Sequence, residues 1–222
     1  MIISTQYNFI FVHIPKTAGM SVTDAFQKYG RPQGRSLLRS FSRRLPFRES
    51  PAKAHFRYHD PASTFVRKLG PEVFERFLSF SVVRNPFDHA VSHYEYMKQF
   101  RIKDIAEKVG QLSFEEYLDY RRQPPRGKDT IFARLPNQSH YLTDGAGTLL
   151  VKRLARFERL EADLSAIAEE LALPEFRLRH INKTKSKSEK KPYQDYYTPQ
   201  TEAIVREIYK PDFALLGYDD SL

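Results

Sequence analysis

Asn8–Ile14 (NFIFVHI) is an almost unbroken run of β-branched and aromatic residues, the pattern of a strand buried on both faces. The whole opening stretch, MIISTQYNFIFVHIPK, reads as strand and not as a signal peptide, because it has no basic n-region and no small-residue cleavage site. Pro15 ends the strand and Lys16–Met20 makes a turn. Ser21–Tyr29 then has helical spacing at Val22, Ala25, Phe26 and Tyr29, and Gly30 stops it. The same order returns downstream. Phe77–Val83 (FLSFSVV) is a second strand, Arg84-Asn85-Pro86 a turn, and Phe87–Met97 a helix with Ala90, Val91, Tyr94 and Met97 on one face. Asp60 is expected to cap a helix that has Pro61 at its first position and runs to Leu69. Ser113 and Glu116 form a capping box for a helix to Arg121. A strand is expected within Leu149–Phe157, a helix over Leu160–Leu171, and a last helix from Thr198-Pro199 through Ile204, Val205 and Ile208. Strands alternating with helices imply an α/β fold, a parallel sheet flanked by helices. Its ligands are expected in the loops after the carboxyl ends of the strands. The 222 residues are expected to form a single domain.

Composition narrows the chemistry. Hydrophobic residues make up 41% and charged residues 28%, which excludes a disordered chain. There is no cysteine, so disulfides, thiolate metal sites and a cysteine nucleophile are excluded. No apolar run approaches the roughly 18 residues of a membrane span. The net charge of +9 points to an anionic partner. Much of the excess lies in two stretches. Arg31–Arg57 has eight basic residues against Glu49, and Lys183–Lys191 has five lysines against Glu189. Scattered prolines make the first a loop, with room for a short helix near Ser36–Arg43.

The first turn, Pro15-Lys16-Thr17-Ala18-Gly19-Met20-Ser21, has the makings of an anion cradle. A helix start offers unpaired N–H groups and the positive end of a dipole. Gly19 lets the backbone approach a ligand, Lys16 adds a point charge, and Thr17 and Ser21 add hydroxyls. It is not a Walker A loop, since Lys16 precedes the only glycine. In the second turn Arg84 stands at a strand end and Ser92 lies eight residues on, about two helical turns away. An arginine fork and a hydroxyl there suit a second phosphate.

FVHIPKTAGMSV resembles the 5′-phosphosulfate loop of sulfotransferases that use 3′-phosphoadenosine-5′-phosphosulfate (PAPS). FSVVRNPFDHAVSHY resembles their 3′-phosphate motif, in which an Arg and a Ser stand eight apart. The likeness is greatest to the carbohydrate branch that includes heparan sulfate 2-O-sulfotransferase. AHFRYHD, RFE, HINKT and the closing Asp212-Phe213 and Gly217-Tyr218 resemble further features of that branch. The resemblance implies a P-loop-like sheet and transfer of a sulfuryl group from PAPS to an acceptor hydroxyl, on a carbohydrate or small molecule, without a metal. It implies that Lys16, Thr17, Ala18, Gly19, Met20 and Ser21 hold the 5′-phosphosulfate, that Arg84 and Ser92 hold the 3′-phosphate, and that Lys183 and Thr184 close over the nucleotide. Lys16 would also stabilise charge on the leaving oxygen.

A histidine suits the acceptor's proton at neutral pH, and the chain has seven. By resemblance His55 is the base and His59, four residues on, the next candidate or a substrate-orienting group. His13, inside the first strand, reads as structural. His89 and His93 have a spacing that suits a metal, but no HExxH order. His140 and His180 carry no clear reading. Two other functions stay open at this point: a small-molecule P-loop kinase, which would need Mg²⁺ ligands, and a basic nucleic-acid-binding domain, which would not need two strand-end phosphate loops. Without cysteine, and beginning at the first strand, the chain is expected to be cytoplasmic. Its oligomeric state is not readable from sequence.

Overall fold

The computed structural model describes residues 1–32, 47–123, 135–178 and 191–222. The expected helix near Ser36–Arg43, together with His180, Lys183 and Thr184, lies outside the described residues. The chain divides into two compact units, Met1–Val83 with Gln138–Lys183 and Arg84–Asn137 with Thr184–Leu222.

The first unit holds a five-stranded sheet. Its strands are β1 (Ile2–Ser4), β2 (Phe9–Val12), β3 (Arg31–Pro32), β4 (Leu78–Val83) and β5 (Arg153–Arg156), in the order β3-β1-β2-β4-β5. β2, β4 and β5 are parallel; β1 and β3 add an antiparallel edge. The N-terminal stretch is therefore a hairpin and not one strand. Ile2 pairs with Phe11 and Ser4 with Phe9, and Asn8 turns the chain at a φ of 51°. An Asn side chain tolerates that left-handed backbone better than most.

Alternation along the strands sorts the core. Ile2, Phe9, Phe11, Phe80, Val82 and Ala155 pack with α1 (Gly19–Phe26) and α8 (Leu160–Glu170) through Val22, Phe26, Leu164 and Ile167. Each of the larger of these buried side chains, the Phe, Leu, Ile and Val residues, contributes on the order of 2 kcal/mol. The alternate residues Ile10, Val12, Ser79 and Ser81 are buried as well, so the sheet is covered on both faces, as its unbroken apolar strands require. The other helices of this unit are α2 (Ala62–Leu69), α3 (Pro71–Glu75) and α7 (Gln138–Leu142). α2 starts at Ala62 without a side-chain cap. Asp60, expected to cap it, instead accepts the Arg57 N–H at 2.7 Å and closes a turn.

The second unit is helical: α4 (Pro86–Met97), α5 (Lys103–Gly110), α6 (Phe114–Arg122), α9 (Pro199–Ile208) and α10 (Lys210–Leu216). Phe87, Tyr94, Met97, Tyr117, Val205 and Phe213 lie in its core. Both halves of the Ser113/Glu116 capping box form, and Thr198 caps α9 with Thr201. Among the described residues no helix is long and apolar enough to cross a membrane.

Candidate active site

Val12 ends β2, and Ser81 of β4 donates its hydroxyl to the Val12 carbonyl at 2.7 Å, pinning the point where the first loop leaves the sheet. Thr17 is fully buried and donates to the Ile14 carbonyl at 2.9 Å, so its hydroxyl shapes the loop from within. Two non-glycine residues sit in left-handed backbone, Lys16 at a φ of 67° and Ala18 at 61°. Paired outliers of this kind mark a conformation held by its surroundings, and such loops cluster at ligand sites. Ala18 is the N-cap of α1 and has no side chain that can cap it. The first N–H groups of α1 therefore receive no side-chain acceptor from the cap position. Ser21 is buried in the first turn and Met20 is exposed.

The loop rests on His13. A Cβ built on Gly19 would stand 1.6 Å from His13 Nε2, so only glycine fits there. The His13 ring stacks on Phe11 at 5.7 Å and meets Tyr58 at 5.0 Å and His59 at 4.4 Å. It is 5% exposed, and its Nδ1 has no hydrogen-bond partner among the described residues. Burial holds its pKa well below the ordinary value, so the ring is neutral at pH 7. His59 Nδ1–H donates to the His13 carbonyl at 3.0 Å. That bond selects the Nδ1–H tautomer and leaves the lone pair on Nε2. The His59 pKa is also lowered, mainly by partial loss of solvent around the ring.

His55 is held differently. Its N–H donates to Glu49 Oε2 at 3.1 Å, its Nδ1 lies 3.7 Å from the same oxygen, and its carbonyl accepts from Lys68 Nζ at 3.2 Å. Lys68 is 2% exposed and ion-paired with Glu49 Oε1. Glu49 thus ties His55 to the Lys68 ammonium in the last turn of α2. The sequence offered no signal for Glu49 beyond its being the lone acid in a basic segment.

In the second unit Arg84 directly follows β4. Its Nε and one Nη each donate to Asp88 at 2.7 Å, using two of the guanidinium's five donors. Asn85 caps α4 by accepting the Phe87 N–H at 2.9 Å, and Ser92 lies half-buried further along that helix. His89 and His93 are core residues: His89 Nδ1 meets the Tyr209 hydroxyl at 3.3 Å, and His93 Nδ1 bonds the Tyr117 hydroxyl. Arg121, also buried, donates to Tyr209 at 2.7 Å. His140 is exposed in α7. Among the described residues no three His, Cys, Asp or Glu side chains are grouped to hold a metal.

A helix start without a side-chain cap, behind a lysine loop at the carboxyl edge of parallel strands, is the kind of place where α/β proteins bind ligands. The chain belongs to the sulfotransferase family, whose sequence model matches residues 1–219. It is accordingly a transferase of sulfuryl groups. The crystal structure of a sulfotransferase from Alicyclobacillus acidocaldarius is similar over 96% of each chain, at 17% identity and a TM-score of 0.44. No curated protein matches the chain significantly.

Proposed function

We infer that the protein transfers the sulfuryl group of PAPS to an acceptor hydroxyl, on a carbohydrate or a small molecule, and that the whole chain acts as one sulfotransferase domain. The observation that carries the reading is the loop before α1, with its left-handed Lys16 and Ala18 and its uncapped helix start. The backbone N–H groups of Ala18–Ser21 and the Lys16 ammonium hold the 5′-phosphosulfate, and Thr17 keeps the loop's shape. Arg84 and Ser92 hold the 3′-phosphate, with Asp88 fixing the plane of the guanidinium. Lys183 and Thr184 complete the nucleotide contacts.

The donor supplies an activated sulfuryl group. Negative charge grows on the bridging oxygen as that group departs, and Lys16 stabilises this charge more in the transition state than in the ground state. Sulfuryl carries less charge than phosphoryl, so the reaction needs no metal. A histidine takes the acceptor's proton. His55, oriented by Glu49, is the first candidate. His59 is favoured by one specific observation, its fixed Nδ1–H tautomer, which leaves Nε2 as a ready base.

Calorimetric titration with 3′,5′-bisphosphoadenosine (PAP) against ADP, in EDTA, tests the donor. Tight PAP binding and weak ADP binding is the expected result. Equal or absent binding of both would overturn the reading and return the kinase and nucleic-acid alternatives.

A further inference from the structure

The segment leading into α2 ends in a tight turn shaped by a few local bonds. Ala54 and Phe56 are buried, and the Phe56 ring stacks on Phe65 of α2 at 4.0 Å, which anchors the stretch. The Asp60 carboxylate accepts the Arg57 N–H at 2.7 Å, and the Asp60 N–H donates to the Arg57 carbonyl at 3.3 Å. Tyr58 and His59 are the two central residues of that turn, and both are exposed. His59 is pinned by its bond to the His13 carbonyl. The Tyr58 ring stands in edge contact with two imidazoles, its centre 5.0 Å from that of His13 and 5.3 Å from that of His59. An aromatic ring held in this way loses little freedom when a ligand covers it. Tyr58 is nevertheless 43% exposed, and Met20, which follows Gly19 in the first turn of α1, is 56% exposed. Single exposed apolar side chains are ordinary on a protein surface. These two share a place: Tyr58 borders the His13 ring directly, and Met20 adjoins the glycine packed on its other side.

We propose that Tyr58 binds the acceptor, its exposed ring stacking on the apolar face of a six-membered ring that carries the hydroxyl to be sulfated. The inference rests on the sulfuryl-transfer reading above and deepens it by naming the shape of the acceptor. An aryl ring and the C–H face of a pyranose both present such a flat apolar surface; a straight-chain alcohol does not. With the acceptor ring on Tyr58, its hydroxyl is offered to the adjacent imidazole, whose centre is 5.3 Å from that of the phenol. The His59 Nδ1–H is committed to the His13 carbonyl, so Nε2 takes the proton. The acceptor oxygen bonds to sulfur as the bond from sulfur to the bridging oxygen of PAPS breaks, and PAP leaves. Met20 adds a pliable apolar side chain at the edge of the donor loop.

Transfer from PAPS to 4-methylphenol and to methyl β-D-glucopyranoside, with n-butanol as the ring-free alcohol, tests this in the full chain. PAP affinity is measured alongside by calorimetry. The wild type is expected to sulfate at least one ring compound in preference to n-butanol, and the two arms show which kind of ring the site takes. Tyr58→Ala is expected to raise the KM for that compound about tenfold, with a much smaller fall in kcat and no loss of PAP affinity. Tyr58→Phe keeps the ring and should recover most of the loss. The chain has no Trp, so Tyr58→Trp carries a single indole beside the proposed site. With PAP bound, its emission should change saturably with a ring compound and not with n-butanol. The proposal falls if Tyr58→Ala lowers kcat and leaves KM alone, which would make Tyr58 a prop for His59. It falls if Tyr58→Phe recovers no more than Tyr58→Ala, or if neither ring compound is sulfated and neither moves the emission of Tyr58→Trp. A wild-type protein that does not bind PAP overturns the donor reading and this inference with it. PAP binding together with any of the other failures overturns the inference only.

Discussion

The His13 imidazole and the Gly19 backbone touch so closely that a methyl group on Gly19 would stand 1.6 Å from Nε2. One contact thus joins the end of β2 to the start of α1. Gly19→Ala must push the ring or the helix aside. We expect a loss of about 2 kcal/mol in stability, as for overpacking a closed site, and PAP binding weakened at least tenfold. Urea unfolding and calorimetry read the two effects; a variant with unchanged values in both would refute the contact.

Ala18 lies at a φ of 61°, where glycine is the better residue. Ala18→Gly is expected to stabilise the protein by about 0.5–1 kcal/mol despite the added freedom of the unfolded chain, because relief of left-handed strain outweighs it. A lower denaturation midpoint would show that the loop carries no strain at this position.

Lys16→Ala separates binding from chemistry. The ammonium meets charge that develops only as the sulfuryl group leaves, so turnover should fall by more than PAP affinity. Equal losses in the two would make Lys16 a binding residue alone.

Glu49 neutralises a lysine that is 2% exposed. Glu49→Gln removes the carboxylate bonded to the buried Lys68 at a cost on the order of 3 kcal/mol, the usual penalty for breaking a buried pair from one side. Adding Lys68→Met should recover most of the loss, since the double variant no longer buries the ammonium. Urea unfolding of the four proteins in the cycle gives the coupling, and additive losses would exclude it.

His13 and His59 both have lowered pKa values, mainly through loss of solvent around the rings, from an ordinary value of 6.5. Below pH 6.5 the unfolded chain therefore binds more protons than the folded one. Stability should fall as pH drops through and below 6.5, and hold steady above it. His59→Gln should reduce that slope. A slope unchanged in this variant would show that His59 titrates normally. Transfer that depends on neutral His59 should stay flat down to pH 6.5 and decline only below it.

Much of the fold was legible locally. The Ser113/Glu116 box and Thr198-Pro199 are read and formed within a single turn, so sequence neighbours suffice. β4 ends at Val83 as its apolar run, cut by Arg84, indicates, whereas β2 ends at Val12, two residues short of the Ile14 expected. The N-terminal hairpin was not legible. Thr5–Asn8 contains no glycine or proline, and its turn depends on Asn8 accepting a left-handed backbone so that Ile2 can pair with Phe11. Asp60 misled for a related reason. Its carboxylate had two amides within reach, and the turn at Arg57 took it.

The sequence by itself determined the strand–loop–helix units, the placing of Lys16, Gly19 and Arg84 at strand ends, and the family. Each rests on residue types at short spacings, which local sterics and hydrogen bonding read directly. Tertiary structure decided the remainder. The partners of His13 are Gly19, six residues on, and Tyr58 and His59, more than forty residues on; Glu49 and Lys68 meet across nineteen residues. Such contacts form only when the folded sheet and α2 bring distant chain together. The burial that neutralises His13 comes from that packing and has no trace in the order of the residues.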